Sequence, residues 1–340
     1  MKISKILLPA LLLSSYAIQA EEFTPNGTIG FTQTFYGNAG GYKTSTSHPS
    51  LFLDYNFSPE INVQLEWDRT WNMYHFDGGD KQQDNRLSQP KGTLTYNYGQ
   101  LGKSQVNWSS SVSFENQNSF NNSNQNYSTL STAFDFSSYI PDAQFIKATQ
   151  FAISPMYIYG WESKNDSGHV NTTALSLLTN WQLPENFSFT LNGYAFRDWY
   201  DGSMKVSSND TSYSNVNYFM VMAWLNYTNT LYNFNDQTAL AFNFTGGFDP
   251  YISSNHKGSW DPYLAGDKMY EWLGPTVMNG NYSSTYTLFA LPQLNLNYQY
   301  DKHLQLSSFV QVKYSNQVWG STEKDWRLQP QIGVGMSYGF

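Results

Sequence analysis

Histidines, hydroxyls and carboxylates are where chemistry would be sought first, and in this chain they are not grouped as a covalent or metal site requires. The five histidines, His48, His75, His169, His256 and His303, are widely separated and no motif surrounds any of them. A Ser–His–acid relay needs its base within hydrogen-bond reach of the nucleophile, and no spacing here singles one out. There is no HExxH stretch and no cysteine, and Asp77-Gly-Gly-Asp80 reads as a solvated turn rather than a calcium loop. No catalytic residue, metal site or cofactor is therefore assigned.

What the charged residues do show is a period of two. Asp54 falls between Leu53 and Tyr55, and Glu66 and Asp68 alternate with Leu65 and Trp67. Glu115, Asp135, Asp198, Lys313 and Arg327 sit in similar stretches. Charge on every second residue of a strand lies on one face and apolar side chains on the other. Such an array can attract and orient ions, and acids outnumber bases in it, which favours cations. Screening by salt would weaken that preference.

The elements that must hold these residues recur from end to end. Alternation predicts strands at 27–37, 50–57, 61–72, 91–99, 105–116, 127–137, 145–161, 171–182, 187–199, 215–228, 238–248, 284–300, 303–315 and 326–340. Short connections alternate with mostly longer ones, the longest being 249–283. An even number of antiparallel strands with short turns at one end and long loops at the other is the pattern of an all-β, up-and-down transmembrane β-barrel of about 14 strands, the turns periplasmic and the loops extracellular.

Composition supports a barrel. Mean hydropathy is only −0.51, and no apolar run after residue 20 approaches the roughly 20 residues of a spanning helix. Yet 18% of the residues are Phe, Trp or Tyr. An apolar exterior ringed by aromatics around a wet interior reconciles the two. Trp67, Trp71, Trp161, Trp181, Trp199, Trp224, Trp319 and Trp326 fall near strand ends, as interfacial girdles require. With no disulfides to hold an exported chain, closure of the sheet takes over that role.

Residues 1–20 read as a signal peptide, with Lys2 and Lys5 ahead of an apolar run and Ala20 at the cut. Residues 21–340 then form the barrel. Loss of the two lysines takes the formal charge from −8 to −10, which argues against nucleic acid as a partner. At the other end Ile332, Val334, Met336, Tyr338 and Phe340 alternate with small residues and the sequence stops on the Phe. That resembles the signal read by the barrel assembly machinery of the bacterial outer membrane.

Short stretches also resemble one family. They are Tyr98-Gly-Gln-Leu-Gly-Lys-Ser-Gln-Val-Asn107, Phe134-Asp-Phe-Ser-Ser-Tyr-Ile140 with Phe145-Ile-Lys147, Leu183-Pro-Glu-Asn-Phe187, and Trp326-Arg-Leu-Gln-Pro330 running on to Phe340. Pro25-Asn-Gly27 with Phe35-Tyr-Gly37 adds to them. Together they resemble the fusobacterial major outer-membrane porins, the FomA-like family. The resemblance implies a voltage-sensitive diffusion porin, assembled as a homotrimer, whose surface loops can act in adhesion. The chain departs from that pattern in lacking a Pro- and charge-rich segment ahead of the first strand.

The expected function is a general diffusion porin: passive passage of small hydrophilic solutes and ions through a barrel embedded in outer-membrane lipid, with mild cation preference. One alternative is a channel selective for a sugar or cation and filtered by loop 249–283, whose Trp260, Asp261, Asp267, Glu271 and Trp272 could form a constriction. Another is an adhesin or receptor that displays its loops.

Overall fold

A computed structural model of the chain describes residues 23–39, 42–43, 47–70, 75–76, 87–119, 124–162, 169–201, 214–255, 284–316 and 326–340. The alternating stretches form β1 (Asn26–Tyr36), β3 (Ser47–Asn56), β4 (Ile61–Thr70), β6 (Leu87–Gln100), β7 (Asn107–Ser119), β8 (Asn124–Asp135) and β9 (Lys147–Glu162). They continue as β10 (His169–Gln182), β11 (Phe187–Tyr200), β12 (Asn215–Asn233), β13 (Thr238–Ser254), β14 (Ser284–Gln299), β15 (Leu304–Ser315) and β16 (Arg327–Gly339). Two short strands, β2 (Tyr42–Lys43) and β5 (His75–Phe76), pair with each other outside this sheet.

The fourteen longer strands close into one antiparallel barrel, each bonded to its sequence neighbours and β1 to β16. The seam runs from Thr28 opposite Gly339 to Tyr36 opposite Gln331. Beyond it, Gly27 and Phe340 exchange both backbone hydrogen bonds at 3.0 Å, and the Phe340 ring stacks on Tyr55 at 5.8 Å. A Cβ on residue 27 would stand 2.6 Å from the Asp54 carbonyl oxygen, so glycine is needed for that closure. Closure leaves no sheet edge to seek partners, which is the condition for strands in hydrocarbon.

Tight turns join strands at one end. In the turn between β10 and β11, Glu185 and Asn186 both take positive φ, 56° and 64°, and the Phe187 N–H donates to the Pro184 carbonyl at 3.2 Å. Two positive φ angles match the right-handed twist of the flanking strands. At β14–β15 the Asp301 carboxylate accepts from the backbone N–H of His303 at 2.7 Å and of Leu304 at 2.8 Å. These two bonds hold the carboxyl below its ordinary range.

Three strands exceed the span that alternation predicts by the most: β6, which begins at Leu87 rather than 91, β12 and β13. β12 continues to Asn233, and β13 reaches Ser254, so residue 249 belongs to β13 and the longest connection begins after the strand. Gly246, Gly247 and Pro250 look like the start of a loop, but register shifts between Val221 and Ala223 and between Phe248 and Tyr251 absorb them within the sheet. Gly247, at φ 149°, sits where a Cβ would fall 1.9 Å from the Ala223 carbonyl oxygen.

Paired residues share a face, so the register assigns every strand position to the outside or the inside. The outer set is apolar and exposed: Leu51, Leu65, Leu94, Val112, Leu130, Leu175, Phe219, Leu294, Val310 and Val334. Aromatic residues cluster at its borders. At the turn end they run Tyr96–Tyr98–Trp108–Phe134, with Tyr98 and Trp108 stacked at 3.9 Å, and again Phe187–Tyr227–Phe242. At the loop end are Tyr159–Trp161 and Tyr314–Trp326. An apolar band between aromatic girdles, on strands that each have two hydrogen-bonded neighbours, is a membrane-spanning barrel. Trp67, Trp161, Trp181, Trp199 and Trp326 belong to its outer face or rim, whereas Trp71 and Trp319 lie outside the described residues. Trp224 differs: it pairs with Thr190 and Gly247 on the inner face, because β12 continues nine residues past it.

Candidate pore lumen

Fourteen strands about 4.8 Å apart and tilted about 40° close at a backbone radius of roughly 14 Å. Side chains alone cannot fill that width, so the chemistry of the inner face decides what the barrel holds. That face divides into two arcs.

The polar arc runs over β13–β16, β1, β3, β4, β6 and β7. Its most ordered part is an amide ladder. Asn243 donates to Gln293 at 2.8 Å, Gln293 to Gln311 at 2.9 Å, Gln311 to Gln331 at 2.5 Å, and Gln331 to Gln329 at 3.2 Å. Each side-chain amide is both donor and acceptor, so a row of them satisfies itself while presenting polar atoms to the interior. Asp54 is held likewise, accepting from Asn62 at 2.6 Å and Gln64 at 3.1 Å.

Next to it, register aligns Glu66, Lys91 and Glu115 on β4, β6 and β7, an acid–base–acid row pointing inward. Lys91 was not among the residues singled out from sequence. Counting in twos back from Thr95 and Asn97 reaches it, but the strand predicted to begin at residue 91 left it at the margin. Asp68 also points inward, with its Oδ1 3.7 Å from His48 Nε2.

The apolar arc covers the loop-end half of β9–β13. Ile158, Val170, Ala174, Tyr194, Phe196, Tyr200, Val216, Tyr218, Met220, Met222 and Ile252 form one buried cluster, joined through Trp224 to Phe289 and Leu291 on β14. This corrects the expectation that inward positions are polar all round the barrel. On β12 the stretch Tyr218 to Leu225 is apolar on both faces, and that run was the signal for it, since a strand with apolar surroundings on both sides loses its alternation. Met220 and Ile252 have no exposed surface, so they are packed rather than facing water.

All eight charged residues expected to line a pore share the inner face, but their surroundings differ. Asp54, Glu66 and Asp68 are half-buried, and Glu115, Asp198 and Lys313 are buried. Glu115 accepts from Gln117 at 2.7 Å. Asp198, within the apolar arc, accepts from Thr172 at 2.7 Å and from the Tyr200 hydroxyl at 3.0 Å. Asp135 serves the backbone instead, since its Oδ1 accepts from the N–H of Ser137 at 2.8 Å and of Phe151 at 3.1 Å and so anchors the turn after β8. Arg327 directs Nη1 at the Ala39 carbonyl, 3.4 Å away. Trp260, Asp261, Asp267, Glu271 and Trp272 lie outside the described residues.

Among the described residues no group of three or more His, Cys, Asp or Glu side chains could hold a metal ion. No family model and no curated protein matches the chain. Solved structures similar to it include a bacterial polysaccharide outer-membrane secretin, 6% identical at a TM-score of 0.38, covering 92% of this chain and 98% of that one. Another is the outer-membrane channel DcaP of Acinetobacter baumannii, 8% identical at 0.37, covering 93% and 96%. A third is the trimer form of OmpT, an outer-membrane protein of Vibrio cholerae, 9% identical at 0.33, covering 93% and 98%. At these scores they carry no argument about solute or mechanism, and the barrel rests on its own hydrogen bonding.

Proposed function

We propose that the chain is an outer-membrane channel for passive diffusion of small hydrophilic solutes and ions, with a mild preference for cations. The observation that carries this reading is the polar arc: amides and carboxylates on the inner face of a closed, lipid-facing barrel too wide for its own side chains to fill. Inward carboxylates at 54, 66, 68 and 115 outnumber the cations at 91, 313 and 327, which is the basis for the charge preference. The resemblance to fusobacterial major porins agrees with this, and with it come the proposals of a homotrimer, voltage sensitivity and recognition of Phe340 by the assembly machinery. Folded protein in a planar bilayer should give stepwise conductance, and reversal potentials in a salt gradient should have the sign of cation selectivity. Absence of steps across the voltage range would end the channel reading.

A further inference from the structure

The outer face of the barrel turns polar just below the loop ends of β9–β12, as it also does around Arg69 and Ser88 on β4 and β6 and Asn116 and Asn126 on β7 and β8. On β9–β12, one rung of outward side chains reads Tyr157, Thr173, Arg197, Asn217, and the rung above it Tyr159, Asn171, Trp199, Asn215. The rung below reverts to Pro155, Leu175, Ala195 and Phe219. Asp198, the chain neighbour of Arg197, points the other way into the interior, as alternation demands.

Arg197 is the charged member of this patch. Its side chain is exposed on the lipid-facing surface, and its guanidinium carbon lies 5.2 Å from the Trp199 ring centroid. It makes no ion pair with any described carboxylate. Asp201, close in sequence, is turned to His169 Nδ1 at 3.3 Å. A cation on the outside of a membrane barrel is costly at the bilayer midplane and tolerated at the interface, which places this rung among headgroups. The tryptophan belongs at that depth too.

The neighbours of Arg197 supply further polar groups. Thr173 and Asn217 flank it on the adjacent strands and are exposed, and the Tyr157 hydroxyl donates to Asn171 Oδ1 at 2.5 Å, leaving the Asn171 amide N–H groups available. A guanidinium held on a tryptophan face, between a hydroxyl and an amide, matches a tetrahedral oxyanion that needs a fork of donors and several single ones. The anion at that depth is the membrane's own. We infer that this patch binds the phosphate of a lipid headgroup in the leaflet at the loop end of the barrel. The inference rests on the chain being a membrane barrel, but not on its conducting.

Native mass spectrometry of protein extracted in mild detergent tests it, with three probes: a phosphorylated diglucosamine lipid, the same lipid dephosphorylated, and inorganic phosphate. Wild type should retain the phosphorylated lipid, Arg197→Gln about tenfold less, and Arg197→Lys an intermediate amount. The dephosphorylated lipid should be indifferent to either substitution, and millimolar inorganic phosphate should not displace bound lipid. Equal retention by wild type and Arg197→Gln, an equal loss with the dephosphorylated lipid, or displacement by inorganic phosphate would overturn the inference. Heat-modifiable migration on gels reports that the variants fold. Bilayer conductance of Arg197→Gln should equal wild type, so loss of conductance in both proteins would count against the channel and leave the lipid result standing.

Discussion

Neutralising Lys91 is the sharpest test of whether the inward charges act on permeating ions. Lys91 stands between Glu66 and Glu115 in one rung, so Lys91→Gln removes the cation and keeps an amide able to hydrogen-bond both acids. With the wall at a radius of about 14 Å and a lysine reaching inward by about 5 Å, the ammonium stands roughly 9 Å from the axis. A unit charge at that distance acts on an ion at the axis with about 0.5 kcal/mol in water before screening. Screening over about 30 Å at 0.01 M leaves about 0.3 kcal/mol, and over about 10 Å at 0.1 M about 0.2 kcal/mol. The effect has opposite sign for cation and anion, so the permeability ratio changes with twice that energy. Lys91→Gln should therefore raise cation over anion permeability about threefold near 0.01 M, about twofold near 0.1 M, and negligibly at 1 M salt. Reversal potentials across a salt gradient measure the ratio directly. No change at low salt, or a shift toward anions, would mean that ions do not pass along this arc.

Other outcomes follow from the same geometry. Met220→Ala, which empties a fully buried inward position, should lower unfolding free energy in detergent by about 2–5 kcal/mol; the outward Leu175→Ala should cost far less, since lipid or detergent fills the space, and equal losses would mean the apolar arc is not packed. Deleting Phe340 removes two seam hydrogen bonds and the Tyr55 stack, together about 2–4 kcal/mol, and should lower the temperature at which the folded gel band disappears. Asp301→Asn should destabilise the barrel near neutral pH. Because the folded-state pKa of Asp301 is depressed, its contribution is present above the ordinary carboxylate range and is lost as pH falls through the folded value. Urea midpoints of wild type and Asp301→Asn should converge in acid, and a gap that persists there would contradict the assignment.

The strand count, the hairpin order and the assignment of Asp54, Glu66 and Asp68 to the inner face were legible from alternation, because a period of two is a local property of the backbone. So was the seam. Small residues alternating with Val334, Met336, Tyr338 and Phe340 are what a strand needs when its partners approach closely, and a Cβ on Gly333 would fall 2.2 Å from the Phe309 ring. The length of β13 was not legible, since Gly246, Gly247 and Pro250 carry the same local preference in a bulge as in a loop.

Neighbourhood across strands was decided only by the closed sheet. Glu66, Lys91 and Glu115 are far apart in the chain and meet through register. The amide ladder from Asn243 to Gln331 likewise exists only once β13 to β16 are aligned. The same holds for Asp135, whose parity marks it as inward but whose oxygen is taken by the backbone of a turn that forms only when β8 meets β9. Alternation along one strand determines which side of the wall a residue faces, whereas shear, bulges and closure determine which residues stand beside it, and the chemistry of the wall belongs to those pairs.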